Sequence, residues 1–270
     1  MRSINDRTKS HSTRRLTGKT VFLDIDGTLV NDTEGPFNDD IAAIEKAWQS
    51  GVKIFLCTGR SLIQIAKVFL DASWVEGIVA AGGAHIILGG ETLYHNWIPI
   101  PLLCDISALF LSTGRRSNFR GDKFTYIVNP DNTRYSDNRK IQITAKHDFA
   151  QKHSNARVSM LTVDLSMEEN ERDFLLKNFD IYPQIPHFDF FIKGEGKAKG
   201  MQMILDALSM DRKDSAAIGD SFNDMDIISH SGTGIAVGNA CNELKAQADW
   251  ISAPVGEGAI VKALEYLGFC

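Results

Sequence analysis

At 270 residues, 43% of them hydrophobic and 23% charged with both signs mixed, the chain has room for one large α/β domain or two of ordinary size. A formal net charge of −5 argues against a dedicated nucleic-acid surface, which carries a basic excess. No apolar run approaches the roughly 18 residues of a membrane span, and four scattered cysteines (Cys57, Cys104, Cys241, Cys270) without a C-x-x-C pair fit reduced thiols in a cytoplasm better than a disulfide framework or a zinc site.

Residues 1–18 are polar and basic with no apolar stretch to make a leader, and the run that follows Arg14-Arg15 already contains Asp24, so a flexible tail is expected there. Asn31-Asp32-Thr33 matches a glycosylation sequon but carries no weight without a sign of secretion. Next, "VFLDI" (21–25) reads as a buried strand that ends in two acids, Asp24 and Asp26. Ile41, Ile44 and Trp48 recur at helical spacing up to Gly51, and "VKIFLCT" (52–58) and "GIVAAGG" (77–83) are further buried strands. Beyond a middle block the pattern resumes. A helix through Met201, Ile204, Leu205 and Leu208 precedes strands "AAIGDS" (216–221) and "GIAVG" (234–238), and a last helix carries Ile260, Ala263, Leu264 and Leu267. Continuous rather than alternating strand hydrophobicity predicts a Rossmann-like, doubly wound parallel sheet covered on both faces.

The middle block differs. "HIILGGETLYH" predicts a hairpin turning at Gly89-Gly90, "KFTYIVNP" and "RVSMLTVDL" are β-like, and "MEENERDFLLKNF" is helical. An α+β domain over 85–189 is therefore expected as an insert in an α/β core formed by 19–84 and 190–270.

In an open parallel sheet, ligands bind beyond the carboxyl ends of the strands. Asp24 and Asp26 stand at one such end, Asp220 and Asp224 of "IGDSFNDMD" at another. If the two strands are neighbours, four carboxylates converge, and a hard divalent cation such as Mg2+ relieves their repulsion. "CTGR" places the Thr58 hydroxyl and the Gly59 amide where a phosphate oxygen can be held, and "GEGKAKG" brings lysines to a helix start.

In this order, "DIDGTLV", "CTGR", "GKAKG" and "GDSFNDMD" resemble the four motifs of the haloacid dehalogenase superfamily of phosphohydrolases. The long insert is similar to the class IIB cap of its Cof-type members. "GIAVGNA", "ADWISAP" and "GEGAIVKAL" are similar to the Cof-type C-terminal stretch. The resemblance implies an Asp24 nucleophile that forms an aspartyl-phosphate and an Asp26 acid and base. It also implies phosphate binding by Ile25, Thr58, Gly59, Asn223 and a lysine, and Mg2+ held by Asp24, Asp26 through its backbone carbonyl, Asp220 and Asp224. Asn223 and Asp224 share the metal and phosphate surroundings in an order left open. Motif register favours Lys199, of the Lys199-Gly200 pair, over Lys197 as the phosphate lysine.

The implied activity is hydrolysis of small phosphorylated metabolites, sugar phosphates among them, in the cytoplasm, without nucleic-acid or membrane partners. A phosphomutase and a non-enzymatic phosphometabolite-binding regulator are the alternatives. None of the histidines has metal-ligand spacing, and His187 falls near the return from insert to core. Arg115, Arg116, Arg120, Lys123, Arg134 and Lys140 make the insert locally basic, either as a solvated face or as a clamp for a second anionic group.

Overall fold

The computed structural model describes residues 19–31, 33–130, 138–164, 167–184 and 187–269; the expected tail (1–18), Asp32 of the sequon and Arg134 of the basic group lie outside them. Strands β1 (Thr20–Leu23), β2 (Lys53–Cys57), β3 (Val75–Ala80), β4 (His85–Leu88) and β5 (Glu91–His95) come first. Next are β6 (Ser117–Gly121), β7 (Thr125–Val128), β8 (Lys140–Ile143), β9 (Val158–Asp164), β10 (Phe179–Gln184) and β11 (His187–Ile192). The last are β12 (Ser215–Gly219), β13 (Thr233–Ala236) and β14 (Trp250–Ile251). One sheet has the order β14-β13-β12-β1-β2-β3-β4-β5 and the other β10-β11-β9-β6-β7-β8.

The first sheet is parallel from β14 to β3. At its centre every residue of β1 is buried, and Phe22 stacks on Phe55 of β2 with ring centroids 4.9 Å apart. A strand buried on both faces needs cover on both. Two helix pairs supply it: Asn38–Gln49 against Ala259–Tyr266, and Lys197–Ala207 against Met225–His230. Each buried Val, Leu or Phe of such a strand contributes about 1.5–3 kcal/mol. No described helix is long and apolar enough to cross a membrane.

The hairpin forms at Gly89 and Gly90, whose φ values of +58° and +84° suit a two-residue turn. It does not begin the insert. β4 runs antiparallel to β3 from Gly77↔Leu88 to Ala80↔His85 and buries Ile86 in the core of the large sheet. At the other end, β11 carries the second sheet on to Ile192. We therefore place the insert between Asn96 and Lys193, in place of the expected 85–189.

The two crossings between core and insert lie side by side. Glu195, nearly buried, accepts hydrogen bonds from the Tyr94 hydroxyl (2.8 Å), Asn96 Nδ2 (2.8 Å) and Lys199 Nζ (2.9 Å). Phe191 and Met160 of the insert pack with Ala81 and Ala84 of the core beside this point.

The insert has its own apolar core and, besides the buried Asp148, a fully buried acid, Glu171. Its carboxylate accepts from Thr113 Oγ1 (2.6 Å), Arg115 Nη2 (2.7 Å) and the Glu168 amide (2.8 Å). Burial opposes its ionisation, but these donors outweigh burial and hold the carboxyl below its ordinary range. A depressed folded pKa adds stability above the unfolded value of about 4.3, and that stability is lost as pH falls through the folded value. Arg115→Ala leaves the buried charge without its main partner. It is expected to cost about 3–5 kcal/mol at pH 7, with a gap to wild type in urea unfolding that narrows as pH drops below about 4.

Candidate active site

Parallel pairing of β1 with β12 brings the two acidic strand ends together. The strands match Leu23 with Ile218, and the Asp24 amide donates to the Ile218 carbonyl at 3.0 Å, so Asp24 and Asp220 leave the sheet side by side. The turn after Asp24 is closed by the Ile25 carbonyl, which accepts from the amides of Thr28, Leu29 and Val30. Gly27 in that turn has φ +79°, and a Cβ there would fall on the Asp220 carboxylate, so only glycine permits the approach. Thr28 Oγ1 donates to Asp220 Oδ1 at 3.4 Å. Oxygens of Asp24, Asp220 and Asp224 all lie within 4.8 Å of one another.

The lysine that joins them is Lys197. Its Nζ is 2.7 Å from Asp24 Oδ1, 2.5 Å from Asp224 Oδ1 and 3.0 Å from Asn223 Oδ1, and the residue is buried. The expectation of Lys199 is corrected: its Nζ points to Glu195 and to the Tyr94 hydroxyl and ring, where core and insert join. Two positions along a helix turn a side chain by about 200°, so only one of the pair can face the acids. The glycine of the Lys-Gly pair serves packing, because a Cβ on Gly200 would run into Val79 of β3.

Asp26 is the second correction. Its carboxylate does not join the cluster; both oxygens accept from Arg60, Oδ2 from Nε at 2.8 Å and Oδ1 from Nη2 at 2.6 Å, and the side chain is 58% exposed. The converging carboxylates are thus three rather than four. Asp224 is the most committed of them, with Oδ1 on Lys197 and Oδ2 accepting from the amides of Asp220 and Ser221 at 3.1 Å. Three carboxylates and one ammonium leave two negative charges. The strain shows in the acids: burial, then the neighbouring Asp224, pushes Asp220 up to about 7, and burial raises Asp24 against the pull of Lys197. A hard divalent cation fits this donor set, since it cancels the surplus charge and takes oxygen ligands.

The other expected residues fall around this cluster. Thr58 is fully buried, its Oγ1 accepting from the Arg60 amide at 3.1 Å, while Gly59 and Asn223 reach the surface of the cavity above. The Ile25 side chain is buried in the core, so only its main chain can serve the site. The cavity, about 670 Å³, has Asp24, Asp26, Arg60, Asp220 and Asn223 on its core side, and Arg139, Met160, His187 and Asp189 on the insert side. Sequence reading passed over Arg60, the last letter of "CTGR", and had no signal for Asp189. Of the basic group of the insert, Arg115 serves Glu171, Arg116 lies 3.7 Å from Asp164 and lines a small cavity together with Arg120 and His187, and Lys123 lines another with Trp97 and Arg157.

The profile of the haloacid dehalogenase-like hydrolase family matches residues 21–264. A phosphoglycolate phosphatase of Methanothermobacter thermautotrophicus is 26% identical over 256 residues, covering 93% of this chain and 100% of that one. The 5-amino-6-(5-phospho-D-ribitylamino)uracil phosphatase YcsE of Bacillus subtilis is 24% identical over 253 residues, covering 92% and 95%. Among solved structures, the haloacid dehalogenase subclass IIB sugar phosphatase BT4131 superposes with a TM-score of 0.79 at 28% identity, covering 93% of this chain and all of that one.

The two lysines are separable by stability alone. In metal-free buffer, Lys197→Ala leaves buried carboxylates without their cation and is expected to cost about 3–5 kcal/mol in chemical denaturation. Lys199→Ala removes a half-exposed partner from an acid that keeps two other donors, and about 1 kcal/mol is expected.

Proposed function

The chain belongs to the haloacid dehalogenase-like hydrolases, and on that premise we propose that it is a Mg2+-dependent phosphatase of small phosphorylated metabolites working through an aspartyl-phosphate. The observation that carries the reading is the buried Lys197, clasped between Asp24 and Asp224 beside Asp220 under a cavity large enough for a small metabolite. Relatives over nearly the whole chain are phosphatases of phosphoglycolate and of a ribityl phosphate, and a structural neighbour is a sugar phosphatase.

Lys197 fixes Oδ1 of Asp24, which leaves Oδ2 to attack phosphorus. The new oxygen–phosphorus bond forms as the bond to the leaving oxygen breaks, and Asp26 gives that oxygen its proton. In the second half, Asp26 takes a proton from a water that attacks the aspartyl-phosphate, and Asp24 is regenerated with release of phosphate. The Lys197 ammonium and the amide of Gly59 meet charge that grows on the phosphoryl oxygens. Arg60 holds Asp26 at the cavity edge, in the lining that the leaving group would meet. Asp24, Asp220 and the Asp26 backbone carbonyl would hold the divalent cation, which supplies Lewis-acid polarisation of the phosphoryl group. Free cysteines at 57, 104 and 241 accord with work in the cytoplasm.

The purified protein is expected to hydrolyse p-nitrophenyl phosphate only with Mg2+ present and to lose that activity in EDTA. Asp24→Asn should abolish turnover, and Asp26→Asn should lower kcat about a hundred- to ten-thousandfold. Acid quench during turnover should trap a phosphoryl group on the peptide that carries Asp24. Wild-type turnover by Asp24→Asn would overturn the assignment of the nucleophile.

A further inference from the structure

The cavity above Asp24 is roofed by β9 and β11 of the insert, whose side chains alternate between two faces. Phe188, Phe190 and Ile192 pack with the insert's own apolar core, so His187, Asp189 and Phe191 face the other way. On β9, Leu161 and Val163 join that core, leaving Met160 and Thr162 on the cavity face. Sheet register sets Asp189 beside Thr162 and Thr162 beside Asn118, a polar row that leads from this cavity into a smaller one lined by Thr162, Asn118, Arg120 and His187.

Asp189 is the anchored member of that row. Thr162 Oγ1 donates to its Oδ1 at 3.0 Å, and His187 Nε2 stands 3.7 Å from the same oxygen. Both partners stand at Oδ1, and the residue lines the cavity. The side chain is only 17% exposed, and the lining it shares holds Asp24, Asp26 and Asp220. Burial raises its carboxyl against the lowering by His187, Thr162 and Arg120, and Asp26 adds a smaller push in the same direction as burial.

Asp189 shares the insert side of the cavity with Arg139 and His187, so the roof carries both signs, and it is the acid itself that is a poor neighbour for a second negative group on a substrate whose phosphoryl end is already anionic. It is a good acceptor for hydroxyls, and Met160 beside it offers an apolar surface for the C–H groups of a ring or polyol. Resting on the phosphatase reading, we propose that Asp189 selects the leaving group, accepting hydrogen bonds from the hydroxyls of a sugar or polyol monophosphate and disfavouring substrates with a second anion at that end. Asp189 acts by binding the part of the substrate that does not react, so its effect belongs in discrimination between substrates.

The test compares kcat/KM, with Mg2+, for hexose, pentose and tetritol monophosphates, for phosphoglycolate and for p-nitrophenyl phosphate. Wild type is expected to favour its best sugar or polyol phosphate over phosphoglycolate by about tenfold or more. Asp189→Ala should lower the sugar phosphate value about tenfold more than the p-nitrophenyl phosphate value. Asp189→Asn keeps an acceptor and the shape while removing the charge, and should raise phosphoglycolate relative to the sugar phosphate. Unfolding midpoints of both variants establish that the fold is intact, and should Asp189→Ala fail to fold, the ratio shift in Asp189→Asn decides. Equal losses on all substrates, or a wild type that prefers phosphoglycolate, would overturn the role of Asp189 while leaving the phosphatase reading standing. Absence of Mg2+-dependent hydrolysis of every ester would overturn that reading and this one with it.

Discussion

Lys197 is the point on which the site is assembled. An ammonium group buried between Asp24 and Asp224 is tolerable only because each charge finds its counterpart within hydrogen-bond distance. That requirement links three segments far apart in sequence: the end of β1, the turn after β12 and the start of the helix Lys197–Ala207. It also fixes where small residues must stand. Gly27 lets Asp220 come in beside Asp24, and Gly200 lets the helix that carries the lysine sit directly on β3. The geometry of the acids is thus a packing result as much as an electrostatic one.

Two further ion pairs shape the surroundings differently. Arg60 grips Asp26 at the solvent edge, so an acid placed by sequence next to the cluster is kept apart from it. Glu195 holds Lys199, Tyr94 and Asn96, and that network ties the exit from the core to the return into it rather than to the chemistry. The acids of these motifs thus stand in three settings: clasped by a buried lysine, paired with an arginine at the solvent edge, and fastening the crossings between core and insert.

Much of this was legible in the sequence where local rules act alone. The unbroken apolar run Val21–Leu23 announced a strand buried on both faces, and Gly89-Gly90 announced a tight hairpin. The acids at the tips of β1 and β12 followed from topology, because strand ends in a parallel sheet face the same side. Legibility failed where the outcome depends on phase or on partners distant in sequence. Choosing between Lys197 and Lys199 needs the rotation of the helix against the sheet, which spacing from a glycine does not supply. The departure of Asp26 needs Arg60, whose pairing spans 34 positions. Nothing in "HFDFFI" marks Asp189 as facing a cavity until the register of β11 on β9 is known. The hairpin was assigned to the wrong unit for the same reason, since a strand does not state in advance which sheet will accept its edge.

The fastening at Glu195 has a consequence for how such a protein can diversify. Where the insert leaves the core and where it returns are bonded neighbours, Asn96 Nδ2 lying 2.8 Å from Glu195 Oε1. A segment entered and left through one doorway is modular: another of different length and lining can be spliced in without altering strand order or the phosphoryl machinery beneath. Variation can then rewrite the roof while the floor stays put, which lets one inherited reaction be redirected among many metabolites.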